Sequence, residues 1–341
     1  MVFSIWTKPM FGCRIGLYLI PVLLPLAAQA SEVNPFTFIA ADFAALDPDQ
    51  DVNPAVVKAQ VLLDRASISS GEIDGKISLR LEGAIAAFAE IHNLPADTRW
   101  SRAFWNELTS EAIVPVLTEY SITSDDLKGP FVQLPARMED MTSFKTLGYA
   151  NIREALAEKF HMSTELLSKL NPDASFSEAG EVIMVANVLT ANKPPNASRL
   201  DVDKDRQTVR AYSSRNELIA FFPASIGSDD KPTPSGMLKV TAINSEPTFH
   251  YSPKYQFKEV ETQKPFDLSP GPNNPLGSTW IALSKPSYGI HGTPEPSLVG
   301  KAASHGCVRL TNWDAQRLAA MLSRGITVNF IEKPDVNFVA Y

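Results

Sequence analysis

Apolar residues recur at helical spacing over the first third of the chain. Between residues 47 and 119 two such stretches flank the polar turn SGEIDG, and a third runs from Ser101, its expected N-cap, to Leu108. The apolar residues of the second stretch follow an i, i+3, i+4, i+7 pattern: Leu81, Ala84, Ile85, Phe88 and Ile91. The spacing predicts an α-helical bundle over residues 47–119.

A second block, residues 135–190, combines two shorter amphipathic stretches with one apolar run. The first stretch carries three apolar residues on one face: Ile152, Leu156 and Phe160. The second begins at Ser163, an expected N-cap, and an apolar run at 182–185 follows a Gly-containing turn and predicts a strand. This order predicts a small α+β module.

After the Pro-, Ala- and Asn-rich linker at 191–198, the pattern changes to short apolar runs between polar turns. The runs that predict strands are residues 199–202, 208–212, 218–224, 236–242, 279–283, 289–291, 307–310 and 326–331. One helix is expected over 313–323, with Thr311 and Asp314 as a capping-box-like start. Residues 198–332 are therefore expected to be mostly β, with one packed helix.

A long insertion, HYSPKYQFKEVETQKPFDLSPGPNNP at 250–275, separates two of these strands. It is long for a structureless loop, so we expect a lid or a substrate-facing segment. Three aromatic residues in it are candidates to line such a lid, and they could equally serve as packing residues: Tyr251, Tyr255 and Phe257.

The N-terminus has the pattern of a secretory signal peptide. Two basic residues, Lys8 and Arg14, precede or open an apolar run that is too short to span a bilayer comfortably, and AQA at 28–30 is a small-x-small cleavage motif. We expect residues 1–30 to be a signal peptide that is cleaved on export to the periplasm. An uncleaved anchor is the alternative.

Composition narrows the class of protein. A hydrophobic content of 44% and a charged content of 20% are those of an ordinary globular chain. The formal net charge of −7 becomes −9 after cleavage, since Lys8 and Arg14 are the only charged residues removed. An acidic chain without basic runs is a poor ligand for nucleic acid or anionic membranes, so neither is an expected partner.

Cleavage would also remove Cys13 and leave Cys307 as the only cysteine. An internal disulfide is then impossible, and without a CxxC or HExxH motif a metal site is not expected either. We therefore expect no cofactor. Three interpretations remain for Cys307, namely an intermolecular disulfide, a buried inert thiol and a nucleophile.

The sequence around Cys307 favours the nucleophile. A thiol is only slightly ionised at neutral pH and needs a base beside it. His291, in the segment YGIHGT, lies 16 residues upstream, whereas His250 is farther away along the chain. If the strands that carry His291 and Cys307 are adjacent, the two side chains meet at the strand ends.

Acyl transfer also needs hydrogen-bond donors for an oxyanion. The backbone N–H groups of residues 305–307 can supply them, with Gly306 free to adopt a positive φ. Arg309 lies on the same side as Cys307 in an extended segment, where it can stabilise a thiolate or hold a carboxylate. His305 is too near Cys307 along the backbone for a relaxed contact, so a direct role and a loop-shaping role are both open.

The segment NPLGSTWIALSKPSYGIHGTPEPSLVGKAASHGCVRLTNWDAQRL resembles the YkuD-type catalytic domain of L,D-transpeptidases, and in particular their Gram-negative envelope subgroup. The family pattern is a histidine followed at a distance by [Ser/Thr]-His-Gly-Cys-hydrophobic-[Arg/Asn]. It is met here by His291 and the run at 304–309. The resemblance covers residues 198–332 and implies a catalytic domain that needs no metal.

Carried over to this sequence, the resemblance implies that Cys307 is the nucleophile and His291 its general base, oriented by the Gly292 carbonyl. The residues that would form or support the oxyanion loop are His305, Gly306, Cys307 and Ser304. The residues that would contact the substrate or stabilise the thiolate are Arg309 and Tyr288.

The implied reaction is acyl transfer on peptidoglycan stem peptides. Cys307 would attack the bond between diaminopimelate and D-Ala in a tetrapeptide stem, release D-Ala, and pass the acyl group to an amine. The product is a 3→3 cross-link or an attached outer-membrane lipoprotein, and with water as acceptor the enzyme would be an L,D-carboxypeptidase. A wall-binding protein with a non-catalytic domain is a further alternative. A hydrolase of the NlpC/P60 type is disfavoured, because there the cysteine precedes the histidine.

The two N-terminal blocks resemble wall-binding modules. Residues 47–119 are similar to the small three-helix peptidoglycan-binding domain, through Val-x-x-x-Gln-x-x-Leu, an Asp-Gly turn and a helix that ends in Ala-x-x-x-Phe. Residues 135–190 are similar to a LysM module, through LNP and the strand after AGE, but no opening strand is predicted around FKTLGYANIREAL. Both resemblances imply binding to peptidoglycan, for the LysM module to its glycan.

Overall fold

The computed structural model describes residues 1–2, 4, 34–44, 46–47, 50–110, 112–188, 193–227, 232–255, 257, 260–302, 304 and 306–332. Two compact units are distinguished, residues 1–32 and residues 33–341, and every described helix and strand belongs to the second. The predicted signal peptide lies almost wholly outside the described residues. No helix in the described part of the chain has the length and apolar character needed to cross a bilayer.

Four helices open the second unit: α1 (Pro35–Ile39), α2 (Pro54–Arg65), α3 (Leu79–Ile91) and α4 (Arg102–Thr109). Asn53, Ser78 and Ser101 each cap a helix by accepting a hydrogen bond from a backbone N–H of its first turn. At Ser101 the donor is the Phe104 N–H, at 3.3 Å. The N-cap predicted at Ser101 is therefore confirmed.

A small α+β block follows: β1 (Leu117–Ser121), α5 (Ile152–Lys159), α6 (Thr164–Leu170) and β2 (Val182–Ala186). β1 and β2 pair antiparallel along their whole length. β1 is an opening strand that the sequence does not predict, and the expected boundary at residue 119 falls within it. Only Leu117 of its five residues is buried, so the segment LTEYS shows no apolar alternation.

The third block holds the remaining strands and one further helix. In chain order they are β3 (Arg199–Asp203), β4 (Thr208–Tyr212), β5 (Leu218–Pro223), β6 (Gly236–Ser245), β7 (Phe249–Tyr251), β8 (Phe266–Leu268), β9 (Thr279–Leu283), β10 (Gly289–His291), β11 (Val308–Arg309), α7 (Asn312–Met321) and β12 (Thr327–Ile331). All but β7 and β8 form one sheet in the order β11-β10-β9-β6-β12-β3-β4-β5. The apolar face of α7 shares a buried core with this sheet. The expected mostly β architecture of this block is confirmed.

The insertion at 250–275 has structure of its own. β7 and β8 pair antiparallel, and their apolar side chains share a small core with the segment 134–147, which lies between β1 and α5. The buried members of this core are Leu147, Phe249, Tyr251, Val260 and Leu268. Tyr251 is therefore a packing residue.

The three blocks pack against one another through apolar contacts. One buried cluster contains residues of α2, α3 and α4, residues of β1 and β2, and also Leu218 and Phe221 of β5. Backbone hydrogen bonds join the same surfaces, from the Ser69 N–H to the Phe221 carbonyl at 2.8 Å and from the Phe221 N–H to the Ser67 carbonyl at 3.0 Å. The blocks on the two sides of the 191–198 linker are thus not separate bodies within this unit.

Candidate active site

β10 and β11 are adjacent and parallel, so the segments GIHG and GCVR lie side by side, as the sequence led us to expect. Ile290 pairs with Val308 and His291 with Arg309. β9 pairs antiparallel with the other edge of β10. Four of the candidate residues line one cavity of about 880 Å³: Cys307, His291, Arg309 and Tyr288.

The imidazole of His291 is buried, with 4% of the residue exposed. Its Nδ1 lies 2.7 Å from the Gly292 carbonyl oxygen. Because a carbonyl oxygen only accepts hydrogen bonds, Nδ1 carries the proton and Nε2 keeps a free lone pair. Burial, reinforced by the positive charge of Arg309, lowers the pKa of His291 to about 3, against the Gly292 hydrogen bond. His291 is thus a neutral base at physiological pH.

The thiol of Cys307 is half-buried at the start of β11. Its Sγ lies 3.7 Å from the Ser287 carbonyl oxygen, to which a neutral thiol can donate. Burial raises the pKa of Cys307 to about 11, although a Gly289 backbone hydrogen bond and the charge of Arg309 both act to lower it. In the resting state the cysteine and the histidine are therefore both neutral.

The loop before Cys307 is shaped by Ser304. Its hydroxyl donates to the Cys307 carbonyl and accepts from the Gly306 N–H at 3.2 Å, while its own N–H donates to the Ile226 carbonyl at 2.7 Å. Gly306 has a φ of +106°, which favours glycine. His305 lies outside the described residues. The Gly306 N–H is already used within the loop, so an oxyanion bound there would have to compete with Ser304.

Asn312, the first residue of α7, packs against Gly292, whose carbonyl orients His291, and the sequence did not single it out. Its Oδ1 accepts from the Ser278 N–H at 3.0 Å, and a Cβ added to Gly292 would lie 2.2 Å from the same oxygen. Its Nδ2 donates to both carboxylate oxygens of Glu158 at 3.0 Å. Sequence motifs do not reveal the contact between Asn312 and Glu158, because Glu158 belongs to the second block and is far away in sequence.

Trp280 is a second residue that sequence reasoning missed. It is the β9 neighbour of His291, its ring lies 5.6 Å from the imidazole, and it lines the cavity. A Cβ added to Gly289 would lie 2.6 Å from the indole. Gly289 is thus needed for the indole to lie over β10 beside the imidazole. The only sequence signal for Trp280 is the alternating pattern of TWIAL. That pattern identifies a strand without showing which face of it holds the site.

The cavity is walled partly by the β7–β8 region. The residues that this region and the 134–147 segment contribute are Met138, Phe249, His250, Lys254 and Phe257. Phe257 therefore both packs in the small core and faces the cavity, while the side chain of Tyr255 lies outside the described ones. Among the described residues no group of three His, Cys, Asp or Glu side chains is placed to hold a metal ion.

The third block is similar in sequence to known proteins. The sequence model of the L,D-transpeptidase catalytic domain, YkuD, matches residues 197–331. The protein named L,D-transpeptidase YkuD in Bacillus licheniformis is 30% identical over 178 residues, which is 52% of this chain and 91% of the relative. The protein named L,D-transpeptidase YbiS in Escherichia coli K12 is 26% identical over 186 residues, 53% of this chain and 60% of the relative. A crystal structure of the L,D-transpeptidase from Xylanimonas cellulosilytica, residues 123–326, aligns with 85% of this chain and all of that one, at 14% identity and a TM-score of 0.38.

Proposed function

The chain belongs to the L,D-transpeptidase family, and on that premise we propose that it transfers an acyl group from a peptidoglycan tetrapeptide stem through Cys307. The observation that carries the proposal is the hydrogen bond from His291 Nδ1 to the Gly292 carbonyl, at a cavity that Cys307 also lines. This bond leaves Nε2 as the base for a thiol that is neutral at rest.

In the first half-reaction the thiol proton passes to Nε2 of His291 as sulfur attacks the carbonyl carbon between diaminopimelate and D-Ala. The C–S bond forms, and the carbonyl oxygen takes up negative charge. The intermediate collapses as the C–N bond breaks, and the amine of D-Ala leaves with the proton held by the imidazolium. A thioester on Cys307 remains, and His291 is neutral again.

In the second half-reaction an acceptor attacks the thioester. An attacking amine gives its proton to Nε2, the C–N bond forms, the C–S bond breaks, and the thiolate regains the proton. An amine on another stem gives a 3→3 cross-link, an amine on an outer-membrane lipoprotein gives an attached lipoprotein, and water gives a tripeptide.

The two N-terminal blocks are proposed to hold the enzyme on the wall. The β1-α5-α6-β2 order and the antiparallel pairing of β1 with β2 support the LysM-like assignment, and the helices α2, α3 and α4 support the peptidoglycan-binding-like one. Binding to an immobile polymer would raise the local concentration of stem peptides. The proposed location is the periplasm, following cleavage of residues 1–30.

Incubation of the protein with a disaccharide-tetrapeptide, followed by mass spectrometry, tests the reaction. A dimer that lacks one D-Ala indicates transpeptidation, and a tripeptide alone indicates hydrolysis. Cys307→Ala is the matched control and is expected to leave the substrate unchanged. If the substrate is also unchanged with the native enzyme, and no carbapenem adduct forms on Cys307, the chain is a wall-binding protein without this activity.

A further inference from the structure

A second cavity, of about 700 Å³, lies where the three blocks meet. Its walls come from the SGEIDG turn of the first block, from residues 151–165 of the second and from the loop 294–301 of the third. It shares no lining residue with the cavity at Cys307. The function proposed above does not use it.

Most carboxylates on its walls already have partners. Asp74 accepts from the Gln60 amide at 2.8 Å and lies 3.6 Å from the Arg80 guanidinium. Glu165 is paired with Lys76 at 2.8 Å. These groups need no ligand to balance their charge.

Glu72 is different. Only 8% of the residue is exposed, it lines the cavity, and within the described part of the chain its carboxylate has neither a hydrogen bond nor an ion pair. The nearby Arg80 is directed to Asp74 and to the Val299 carbonyl at 3.2 Å. Burial raises the pKa of Glu72 to about 7, although the charges of Arg80, Lys301 and Lys76 act to lower it. A buried carboxylate without a partner is costly, and a cation in the cavity would remove that cost.

The form of the cavity indicates what kind of cation fits. No three metal-ligating side chains converge among the described residues, so an organic cation suits the site better than a metal ion. The volume is that of a small-molecule or peptide site. Lys301, exposed on the same wall, provides a positive charge that suits a carboxylate of the same ligand.

We propose that this cavity binds a short peptide through a free primary ammonium group, with Glu72 as the anion that receives it. The choice of a wall peptide as the probe rests on the proposed function, since the diaminopimelate of a stem carries such an ammonium. The site itself rests on Glu72 and its surroundings alone.

The test is a binding titration of the full chain carrying Cys307→Ala, so that no acyl-enzyme forms. The probe is L-Ala-γ-D-Glu-meso-diaminopimelate acetylated at its N-terminus, and the comparison is the same peptide with the side-chain amine acetylated as well. We expect the free amine to bind at least tenfold more tightly than the acetylated form, and Glu72→Gln to abolish that difference.

Glu246→Gln is the matched control, because Glu246 lines the cavity at Cys307 and not this one. It is expected to keep the difference in affinity between the two peptides. Equal affinity for the two peptides, no binding of either, or a loss with Glu246→Gln in place of Glu72→Gln would each overturn the proposal. Thermal unfolding of Glu72→Gln, expected at or above the native temperature, shows that the variant is folded. Failure here leaves the turnover test on Cys307 unaffected, since that test measures product formation by the native enzyme.

Discussion

A single backbone carbonyl determines which ring nitrogen of His291 carries the proton. Nδ1 donates to Gly292, so only Nε2 can take a proton from Cys307. The charge of Arg309 favours a thiolate and disfavours an imidazolium, so its two effects oppose each other for transfer between sulfur and nitrogen. Burial adds to the cost of charging either group. We therefore expect the proton to pass from Cys307 to His291 as sulfur attacks the substrate, without a thiolate–imidazolium pair formed beforehand.

We predict that Cys307 in the free enzyme is alkylated slowly by iodoacetamide near neutral pH, with a rate that still rises at pH 9. The reason is that its pKa is raised to about 11 by burial. Peptide mass spectrometry separates Cys307 from Cys13, and Cys307→Ala gives the background. A rate that levels off below pH 7 would show a preformed thiolate and contradict the neutral resting pair.

Arg309 should act through its charge. Arg309→Gln removes a group that lowers the pKa of Cys307, and each unit of pKa changes the thiolate fraction about tenfold. We expect alkylation of Cys307 by iodoacetamide at pH 9, which depends on the thiolate alone, to slow by about tenfold in Arg309→Gln and by much less in Arg309→Lys. Peptide mass spectrometry measures both rates. Equal losses in the two variants would mean that the guanidinium shape matters and the charge does not.

At the scale of elements, the start of α7 connects the site to the rest of the molecule. Thr311 caps the helix through the Asp314 N–H at 3.2 Å, which leaves the next residue, Asn312, facing the turn after β10. A Cβ on Gly277 would lie 2.0 Å from the Asn312 amide oxygen, so this glycine and Gly292 make room for it. The Asn312 amide thereby links the turn after β10, in the third block, to Glu158 of α5 in the second.

Asn312→Ala tests whether this link positions His291. The variant leaves the Ser278 N–H without its acceptor and removes one of the two side-chain donors to Glu158, so we expect a loss of about 1–3 kcal/mol in unfolding free energy. We also expect kcat for D-Ala release to fall about tenfold with KM little changed, because the amide no longer packs against Gly292. Ser323→Ala, at an exposed position just after the same helix, is the control. A stability loss with unchanged kcat would make Asn312 purely structural.

Local patterns predicted the eight strands of the large sheet and its helix, because most of these strands are short, partly buried and bounded by polar turns. β7 and β8, at the ends of the insertion, were not predicted. That His291 and Cys307 line the same cavity was also predictable, since both lie on one short stretch of chain. β1 was not, because its burial is confined to Leu117. Trp280 and Asn312 were not either, because their roles depend on which strand or helix lies next to β10. That information is held in tertiary contacts such as the one with Glu158.

At the scale of the whole molecule, ionisable groups are buried between the blocks. Asp64 of α2 contacts both His161 and Arg317, at 3.0 and 2.7 Å, and these two contacts hold the pKa of its carboxyl well below the usual range despite burial. Burial raises the pKa of two other carboxyls, Glu158 to about 8 and Asp314 to about 6. The unfolding free energy of the packed blocks therefore depends on pH. Whether it rises or falls in a given pH range is set by which of these groups titrates there.

Between pH 6.5 and 8 the groups that change are the acids whose pKa is raised above that of the unfolded chain. In this window the folded state holds a proton on Glu158, and partly on Glu72, that the unfolded state has released, so stability falls as pH rises. Asp64 is ionised in both states here. His291, with its pKa lowered to about 3, is neutral when folded throughout and contributes a slope only below the unfolded histidine pKa of about 6.5.

The expected loss is roughly 2–3 kcal/mol of unfolding free energy from pH 6.5 to 8, at about 1.4 kcal/mol per pH unit for each carboxyl still protonated in the folded state. Glu158→Gln keeps a side chain of the same shape that does not ionise, so most of this slope should disappear. Glu178→Gln, an exposed carboxyl of the same block, should leave it unchanged. Urea unfolding followed by circular dichroism at fixed ionic strength measures the slope. If stability rises over this window, or if Glu158→Gln keeps the native slope, Glu158 is ionised in the folded protein and the contact between α5 and α7 is an anion–amide bond at neutral pH.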